Sequence, residues 1–260
     1  MRVSLIQMDI ALGRPQENRR RAADLVRVAA QDADLVMLPE MWTTGYALKD
    51  LAGNLADRDG EPTGAFLSAL ARECGVHIVG SAPDQRGGQV YNSATVYGPS
   101  GNRLAEYAKV HLVPMMDEHL YLAPGTQISL ADIGEWKAGL AICYDLRFPE
   151  LFRTMALGGA QVMLIPAEWP TQRLSHWRTL VIARAIENQC YVLACNRVGS
   201  DQANAYPGHS MVVDPWGTIL AEGGEGEEVV RATLDMAQVA EIRSRIPVFK
   251  DRRPDLYRLG

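Results

Sequence analysis

Short apolar runs alternate with amphipathic stretches along most of this chain, and that alternation constrains the fold more than any other feature. Residues 2–9 alternate apolar and polar side chains, as strands do, whereas residues 15–31 carry an apolar stripe at helical spacing. The pattern continues with predicted strands at 34–39, 76–82, 138–143, 161–166 and 190–197, and predicted helices at 62–74, 149–158 and 171–189. It predicts a layered α/β protein with mixed sheets, because every sheet and helix must bury an apolar face against another layer.

Two turns rich in Gly and Pro interrupt this alternation and predict hairpins. One joins extended segments at 89–97 and 103–109, and the other lies within 209–221. A strand at 227–234 and a short helix near 236–244 are predicted to follow, whereas the tail from 245 to 260 has no core periodicity. No linker-like change of composition divides the chain, so we predict one domain over residues 1–260.

Composition argues against several classes of partner. The formal net charge of -5 provides no basic field for nucleic acid, and no apolar stretch reaches the roughly 18 residues of a membrane span. The first residues lack the pattern of a signal peptide, so we expect a cytoplasmic protein with reduced cysteines. Without a paired Cys or His motif or a Gly-rich phosphate loop, we predict no metal and no organic cofactor.

Three segments carry candidate chemistry. Glu40 directly follows a predicted buried strand, Lys109 ends a hairpin strand, and Cys143 ends an apolar strand before a helix with Pro149 in its first turn. Each has an ordinary explanation when taken alone: a surface carboxylate, a snorkelling lysine, a packed core cysteine. The strand–turn–helix setting of Cys143 nevertheless resembles a nucleophile elbow, and the nearby helix N-terminus should lower the pKa of its thiol.

Taken together, these segments resemble the nitrilase, or carbon–nitrogen hydrolase, superfamily over nearly the whole chain. The resemblance is carried by VSLIQMD, LPEMW, YAKVHL, CYDLRFPE, and the closing Gly208-His209-Ser210 and Asp214-Pro215-Trp216-Gly217. It implies a four-layer α-β-β-α sandwich with two mixed β-sheets. It also implies a homodimer built by helix packing, and a catalytic triad at the positions of Glu40, Lys109 and Cys143.

These residue types suffice to hydrolyse an amide. Cys143 would attack the carbonyl carbon, while Glu40 would take the thiol proton, pass it to the departing ammonia and later activate water against the thioester. Lys109 and the backbone N–H of Tyr144 would stabilise the oxyanion. The resemblance gives Glu118 a supporting role in orienting the lysine or the substrate amide.

A closer resemblance, to the ω-amidase branch, is carried by residues 166–170, 183–189 and 196–199. That branch hydrolyses the terminal amide of 2-oxo dicarboxylic acid monoamides, and usually has Asn where this chain has Glu168. A charged Glu168 facing the pocket would repel such an anionic substrate. The candidate substrate-binding residues are aromatic side chains for the pocket wall, arginines for a substrate carboxylate, and neighbours of the site: Tyr46, Tyr144, Arg147, Phe148, Glu168, Trp169 and Arg173.

Several alternatives stay open at this stage. The same three residues would serve a nitrile, an N-carbamoyl amino acid or an aliphatic amide, because the superfamily holds them in common. A non-catalytic interaction protein that retains the fold is a further alternative. His111 and His209 are candidates for a Cys–His pair, although a hydrogen-bonded structural histidine is the ordinary explanation. The apolar residues of the 245–260 tail are expected to pack on a partner subunit.

Overall fold

Two β-sheets lie face to face in the computed structural model, which describes residues 1–257 of the chain. The strands, in chain order, are β1 (Arg2–Gln7), β2 (Leu35–Met37), β3 (Asp57–Arg58), β4 (His77–Arg86), β5 (Gln89–Tyr97), β6 (Arg103–Ala108), β7 (Leu130–Ile133), β8 (Trp136–Leu140), β9 (Val162–Ala167), β10 (Tyr191–Asn196), β11 (Val198–Ser200), β12 (Ala205–Pro207), β13 (Met211–Val213), β14 (Ile219–Glu222) and β15 (Glu228–Thr233). The α-helices are α1 (Pro15–Ala30), α2 (Thr63–Cys74), α3 (Glu118–Tyr121), α4 (Pro149–Leu157), α5 (Leu174–Asn188) and α6 (Ala237–Arg245).

Both sheets are mixed, as the alternation predicts. Within residues 1–257, the first sheet has the order β15-β1-β2-β4-β5-β6, with β3 paired to β4, and the second has the order β14-β13-β10-β9-β8-β7. In the first sheet, β1, β2 and β4 run parallel, whereas β5, β6 and β15 pair antiparallel to their neighbours. In the second, β8, β9 and β10 run parallel and the outer strands are antiparallel.

Side-chain alternation along the strands produces the layers. Leu5 of β1 belongs to the core cluster that the two sheets share, whereas its neighbour Ile6 belongs to the cluster beneath α1 and α2. Phe152 of α4 and Trp177 of α5 pack on the second sheet. The predicted four-layer α-β-β-α sandwich is therefore confirmed.

Element boundaries differ from the predictions where the chain turns toward the site. The strand predicted at 138–143 ends at Leu140, and Cys143 instead begins a short turn of 3-10 helix, Cys143–Arg147. The helix predicted at 171–189 starts with another 3-10 turn, Thr171–Arg173, before α5. The pattern analysis missed β3, α3, β7, β11 and β12, which have only two to four residues each and are too short to show a period.

The C-terminal tail packs against the core at one residue and is exposed further along. Phe249 packs against the main core, and the guanidinium carbons of Arg153 and Arg243 lie 5.2 and 5.0 Å from its ring centroid. Leu256 and Tyr257 are 66% and 55% exposed. Residues 258–260, which the tail prediction includes, lie outside the described residues. Over the part of the chain that the structure describes, no helix is long and apolar enough to cross a membrane.

Candidate active site

Loops that follow β2, β6 and β8 bring Glu40, Lys109 and Cys143 together, as the motif order predicts. Lys109 Nζ lies 2.8 Å from Glu40 Oε1, and neither side chain is exposed to solvent. Cys143 lies beside this pair and is 4% exposed, and the charges of both Glu40 and Lys109 act on its thiol. A lysine and a carboxylate thus meet at a cysteine inside the protein, where few water molecules compete for their charges.

Both oxygens of Glu40 are held by donors from other parts of the chain. Oε1 accepts hydrogen bonds from Lys109 Nζ and from Asn92 Nδ2, each at 2.8 Å, and Oε2 accepts one from the backbone N–H of Glu168 at 2.8 Å. Sequence reasoning missed Asn92. Its sequence signal is weak, because β5 also contains Gln89, Ser93 and Thr95, yet the structure buries Asn92 completely.

Glu118 completes the group of charges around the lysine. Its Oε1 lies 2.7 Å from Lys109 Nζ, and its Oε2 accepts the backbone N–H of Val113 at 2.7 Å. Burial is the largest influence on Glu118 and raises the pKa of its carboxyl above the usual value, although Lys109 acts in the opposite direction. The next residue toward the N-terminus, Asp117, is exposed.

Lys109 stays charged in spite of its burial. Desolvation alone would lower its pKa, but the carboxylates of Glu118 and Glu40 outweigh that effect and hold the pKa well above the usual value. An ammonium group between two carboxylates is also held in one place, because each of its contacts restricts the same Nζ atom. The site therefore contains a fixed positive charge.

Tyr46 lies between the two carboxylates. Its hydroxyl oxygen is 2.6 Å from Glu118 Oε1 and 3.1 Å from Glu40 Oε1, and Lys109 Nζ approaches it at 3.4 Å. The hydroxyl has one proton, and the shorter distance favours donation to Glu118. Tyr46 also lines a larger cavity beside the site, so it separates the carboxylates from that space.

The backbone at Cys143 is strained, and its thiol is not ionised in advance. Cys143 has a φ of 45°, in the left-handed region that residues other than glycine rarely adopt. Burial, followed by the charge of Glu40, raises the pKa of the thiol well above its usual value, while Lys109 lowers it. The predicted lowering of this pKa by a helix N-terminus is therefore wrong, because desolvation is the larger effect.

A small cavity opens at Cys143. Of the candidate binding residues, Tyr144, Arg147, Trp169 and Arg173 line it. Phe148 does not; it stacks on the ring of His111 at 3.6 Å between centroids. Four further residues of the wall were not among the candidates, namely Val113, Met115, Met116 and Pro170.

Two arginines give this cavity a positive wall. The guanidinium carbon of Arg147 lies 4.7 Å from the ring centroid of Trp169, and its nitrogens lie 3.5 Å from His176 Nδ1. Trp169 is anchored in turn, because its indole N–H donates to the backbone oxygen of Arg173 at 2.7 Å. Among residues 1–257, no carboxylate forms an ion pair with the side chain of Arg147 or Arg173.

Glu168 is buried against Arg197 and does not line the cavity at Cys143. Its Oε2 lies 3.0 Å from Arg197 Nη1, while its Oε1 has no hydrogen-bond partner among the described residues. Burial raises the pKa of Glu168 to about 8, and Arg197 acts against that rise. Arg197 also contacts Asp9 Oδ1 at 2.9 Å. Sequence reasoning missed this arginine, because its partners lie far away in the chain.

The two candidate histidines are both paired with carboxylates. His111 Nδ1 lies 2.8 Å from Asp145 Oδ1, and His209 Nδ1 lies 2.9 Å from Glu222 Oε1. These are the contacts of hydrogen-bonded structural histidines, and neither ring is hydrogen-bonded to Cys143 in the described part of the chain. In the described part of the chain, no group of three or more His, Cys, Asp or Glu side chains is arranged to hold a metal ion.

The α-β-β-α sandwich and the buried Glu–Lys–Cys cluster together define a class of protein. Comparison with known proteins identifies that class. Residues 2–244 match the sequence model of the carbon–nitrogen hydrolases, so the chain belongs to that family, as predicted.

Similar proteins span almost the whole chain. The 2-oxoglutaramate amidase of Bacillus subtilis (strain 168) is 47% identical over 98% of this chain and 98% of that protein. An ω-amidase of Homo sapiens is 38% identical over 98% of this chain and 96% of its own. Among solved structures, a carbon–nitrogen hydrolase superfamily protein from Xanthomonas campestris with an arsenic adduct in its active site has a TM-score of 0.93 and 34% identity. The match covers 100% of this chain and 99% of that one.

Proposed function

We propose that this protein is an amidase that hydrolyses the C–N bond of a small amide through a cysteine thioester and releases ammonia. The observation that carries the proposal is the burial of Cys143 beside Glu40 and Lys109, whose Oε1 and Nζ atoms are 2.8 Å apart. The proposed substrate is the ω-amide of a 2-oxo dicarboxylic acid monoamide such as 2-oxoglutaramate. The 47% identity with the B. subtilis 2-oxoglutaramate amidase supports that substrate.

In the acylation half-reaction, Cys143 attacks the amide carbon as Glu40 removes the thiol proton. Proton transfer accompanies formation of the S–C bond, because the raised pKa of the thiol leaves little thiolate beforehand. The oxyanion is stabilised by the Lys109 ammonium and by the backbone N–H of Tyr144. Glu40 then passes its proton to the amide nitrogen, the C–N bond breaks, and ammonia leaves a thioester on Cys143.

In the deacylation half-reaction, Glu40 is again the base. It takes a proton from water while the water oxygen attacks the thioester carbon, and the same two donors stabilise the second oxyanion. Collapse of this intermediate breaks the S–C bond, and the proton on Glu40 returns to the Cys143 sulfur. The acid product leaves, and the enzyme is regenerated.

Glu118 and Tyr46 support the charge that stabilises the oxyanion. Glu118 gives Lys109 a second carboxylate, so that the ammonium is held between two anions instead of pairing with Glu40 alone. Tyr46 donates to Glu118 and keeps that carboxylate in place. Neither residue forms a bond to the substrate in this scheme; both orient Lys109.

The positive wall of the cavity suits a substrate that has a carboxylate at the far end from the amide. Arg147 and Arg173 offer guanidinium groups that no carboxylate neutralises among the described residues, and a guanidinium binds a carboxylate in bidentate fashion. The aromatic faces of Trp169 and Tyr144 would enclose the carbon chain between the two ends. Glu168 does not oppose this assignment, because burial raises the pKa of its carboxyl to about 8 and Arg197 faces the same carboxyl.

A substrate panel tests the proposal. Ammonia release and kcat/KM are measured for 2-oxoglutaramate, a neutral aliphatic amide, an N-carbamoyl amino acid and a nitrile, with Cys143→Ala as the blank. We expect the highest kcat/KM with 2-oxoglutaramate. A preference for the carbamoyl compound would contradict the proposed substrate, and the absence of turnover with every small amide would contradict the amidase itself.

We further propose that the chain forms a single domain over residues 1–260 and works in the cytoplasm as a homodimer, with residues 245–260 packed on the partner subunit. The exposed apolar side chains of Ile246, Leu256 and Tyr257 support this use of the tail. Sedimentation at micromolar concentration tests the assembly. A strictly monomeric mass would contradict it.

A further inference from the structure

A single buried carboxylate links the loop that carries the lysine to the turn that carries the nucleophile. Asp145 Oδ1 accepts the backbone N–H of His111 at 3.0 Å, and Asp145 Oδ2 accepts the backbone N–H of Ile142 at 2.9 Å. His111 lies just beyond Lys109 in the chain, and Ile142 directly precedes Cys143. The two oxygens of Asp145 therefore link the backbone just after Lys109 to the backbone just before Cys143.

Side chains fill the remaining acceptor positions of this carboxylate. Tyr107 donates its hydroxyl proton to Oδ2 at 2.8 Å, and His111 Nδ1 lies 2.8 Å from Oδ1. The His111 ring is fixed in turn by stacking on Phe148, with only 6° between the ring planes. A carboxylate has about four lone-pair positions, so Asp145 is fully used and cannot rotate without losing a bond.

We propose that Asp145 is a positioning residue that sets the spacing between Lys109 and Cys143. This inference rests on the proposed function, in which the ammonium must lie beside the oxyanion formed at Cys143. It concerns a residue that contacts neither the substrate nor the reacting atoms.

The topology explains why such a link is needed. Lys109 follows β6, at the edge of the first sheet, whereas Cys143 follows β8 in the second sheet. No strand pairing connects those two strands within residues 1–257, so packing and side-chain bonds alone determine the distance between the loops. The positive φ of Cys143 adds a second requirement, because a strained backbone conformation must be held by its surroundings. The hydrogen bond from the backbone N–H of Ile142 to Asp145 holds the residue directly before Cys143.

The amide analogue of Asp145 makes a sharp test, because each oxygen holds one backbone N–H. In Asp145→Asn, Tyr107 and His111 can reverse their hydrogen bonds by rotating a hydroxyl or changing tautomer. A backbone N–H cannot become an acceptor. Whichever way the amide is turned, its NH2 group faces the N–H of either Ile142 or His111, and one of the two links is lost.

We expect Asp145→Asn to lower kcat with 2-oxoglutaramate by roughly 10- to 100-fold while KM changes less than about threefold, because catalytic geometry is disturbed more than binding. At fixed pH, alkylation of Cys143 by iodoacetamide should slow at least about fivefold, because the thiolate loses stabilisation from Lys109. All rates are measured well below the melting temperature. The matched control is Asp132→Asn, an exposed aspartate on β7 paired with Lys137, which should leave both rates unchanged.

The outcomes separate this inference from the proposed function. If the wild-type protein hydrolyses no amide, the proposed function fails, while the alkylation rates still test the role of Asp145. A folded Asp145→Asn variant with wild-type kcat and wild-type alkylation overturns the inference, whatever its melting temperature. If that variant does not fold, the double variant Tyr107→Phe/His111→Phe removes the two side-chain donors that fix the Asp145 carboxylate. The carboxylate can then rotate away from the backbone N–H groups of His111 and Ile142, so kcat should fall by about two- to tenfold, and wild-type kcat would overturn the inference.

Discussion

The ammonium nitrogen of Lys109 lies 2.7 Å from Oε1 of Glu118, and both side chains are completely buried. Glu118 is therefore part of the charge balance of the site and not a loop carboxylate in solvent. Its neighbour Asp117, which is exposed, provides a natural comparison on the same turn.

Replacing Glu118 with Gln should lower kcat by about 100-fold, the loss expected when an oxyanion donor is misplaced, with KM changed less than about threefold. The amide keeps a hydrogen-bond acceptor for Lys109 but removes the negative charge that helps to hold the ammonium in place. Steady-state kinetics measure the effect. Asp117→Asn should keep wild-type kcat, and equal losses in the two variants would contradict a specific role for Glu118.

Replacing Cys143 with Ala should abolish turnover, with a loss of at least about 10⁴-fold in kcat, because no nucleophile remains. The variant should still bind substrate, since the rest of the cavity wall is unchanged. Ammonia release and calorimetric titration test the two statements. Cys74→Ala, which removes a half-buried thiol on α2, should retain full activity. Hydrolysis by Cys143→Ala above the rate measured without enzyme would rule out the thioester route.

Replacing Arg173 with Gln should weaken the binding of anionic amides selectively. Loss of one charge-assisted hydrogen bond corresponds to a rise of about tenfold or more in KM for 2-oxoglutaramate. KM for a neutral aliphatic amide should change less than about twofold, because it has no carboxylate to lose a partner. Arg20→Gln, on the exposed face of α1, controls for the change in net charge. Equal effects on both substrates would exclude Arg173 from carboxylate recognition.

Replacing Glu168 with Gln should change how stability depends on pH. The pKa of Glu168 is about 8 in the folded protein, above its ordinary value of 4.5, so between these values the native state binds more protons than the unfolded state. Its contribution to the unfolding free energy therefore falls as pH rises through this window, by up to about 1.4 kcal/mol per pH unit. Gln has no proton to lose, so that part of the slope should vanish.

Urea unfolding of the wild type and Glu168→Gln between pH 5 and pH 8 measures this difference. The variant should gain stability relative to the wild type as pH rises. Glu241→Gln, on the exposed side of α6, controls for removal of one carboxylate. Parallel pH profiles for the wild type and Glu168→Gln would show that Glu168 is ionised in the folded protein throughout this range.

Local sequence pattern was sufficient for the broad fold, and the resemblance of three motifs to one family was sufficient to select the residues of the buried cluster. The alternation of strand and helix periods predicted mixed sheets covered by helices, because burial of an apolar face leaves its period in the sequence. Glu40 follows a predicted strand, and Lys109 and Cys143 end theirs; α/β proteins gather such strand ends at one edge.

Only the tertiary structure decided what surrounds those residues. Asn92 beside Glu40, Arg197 beside Glu168 and Asp145 beside Ile142 are long-range or turn-specific contacts that leave no period in the sequence. The direction of the Cys143 pKa shift was decided in the same way. Desolvation depends on how completely the two sheets and their loops enclose the thiol, and no local pattern measures that enclosure.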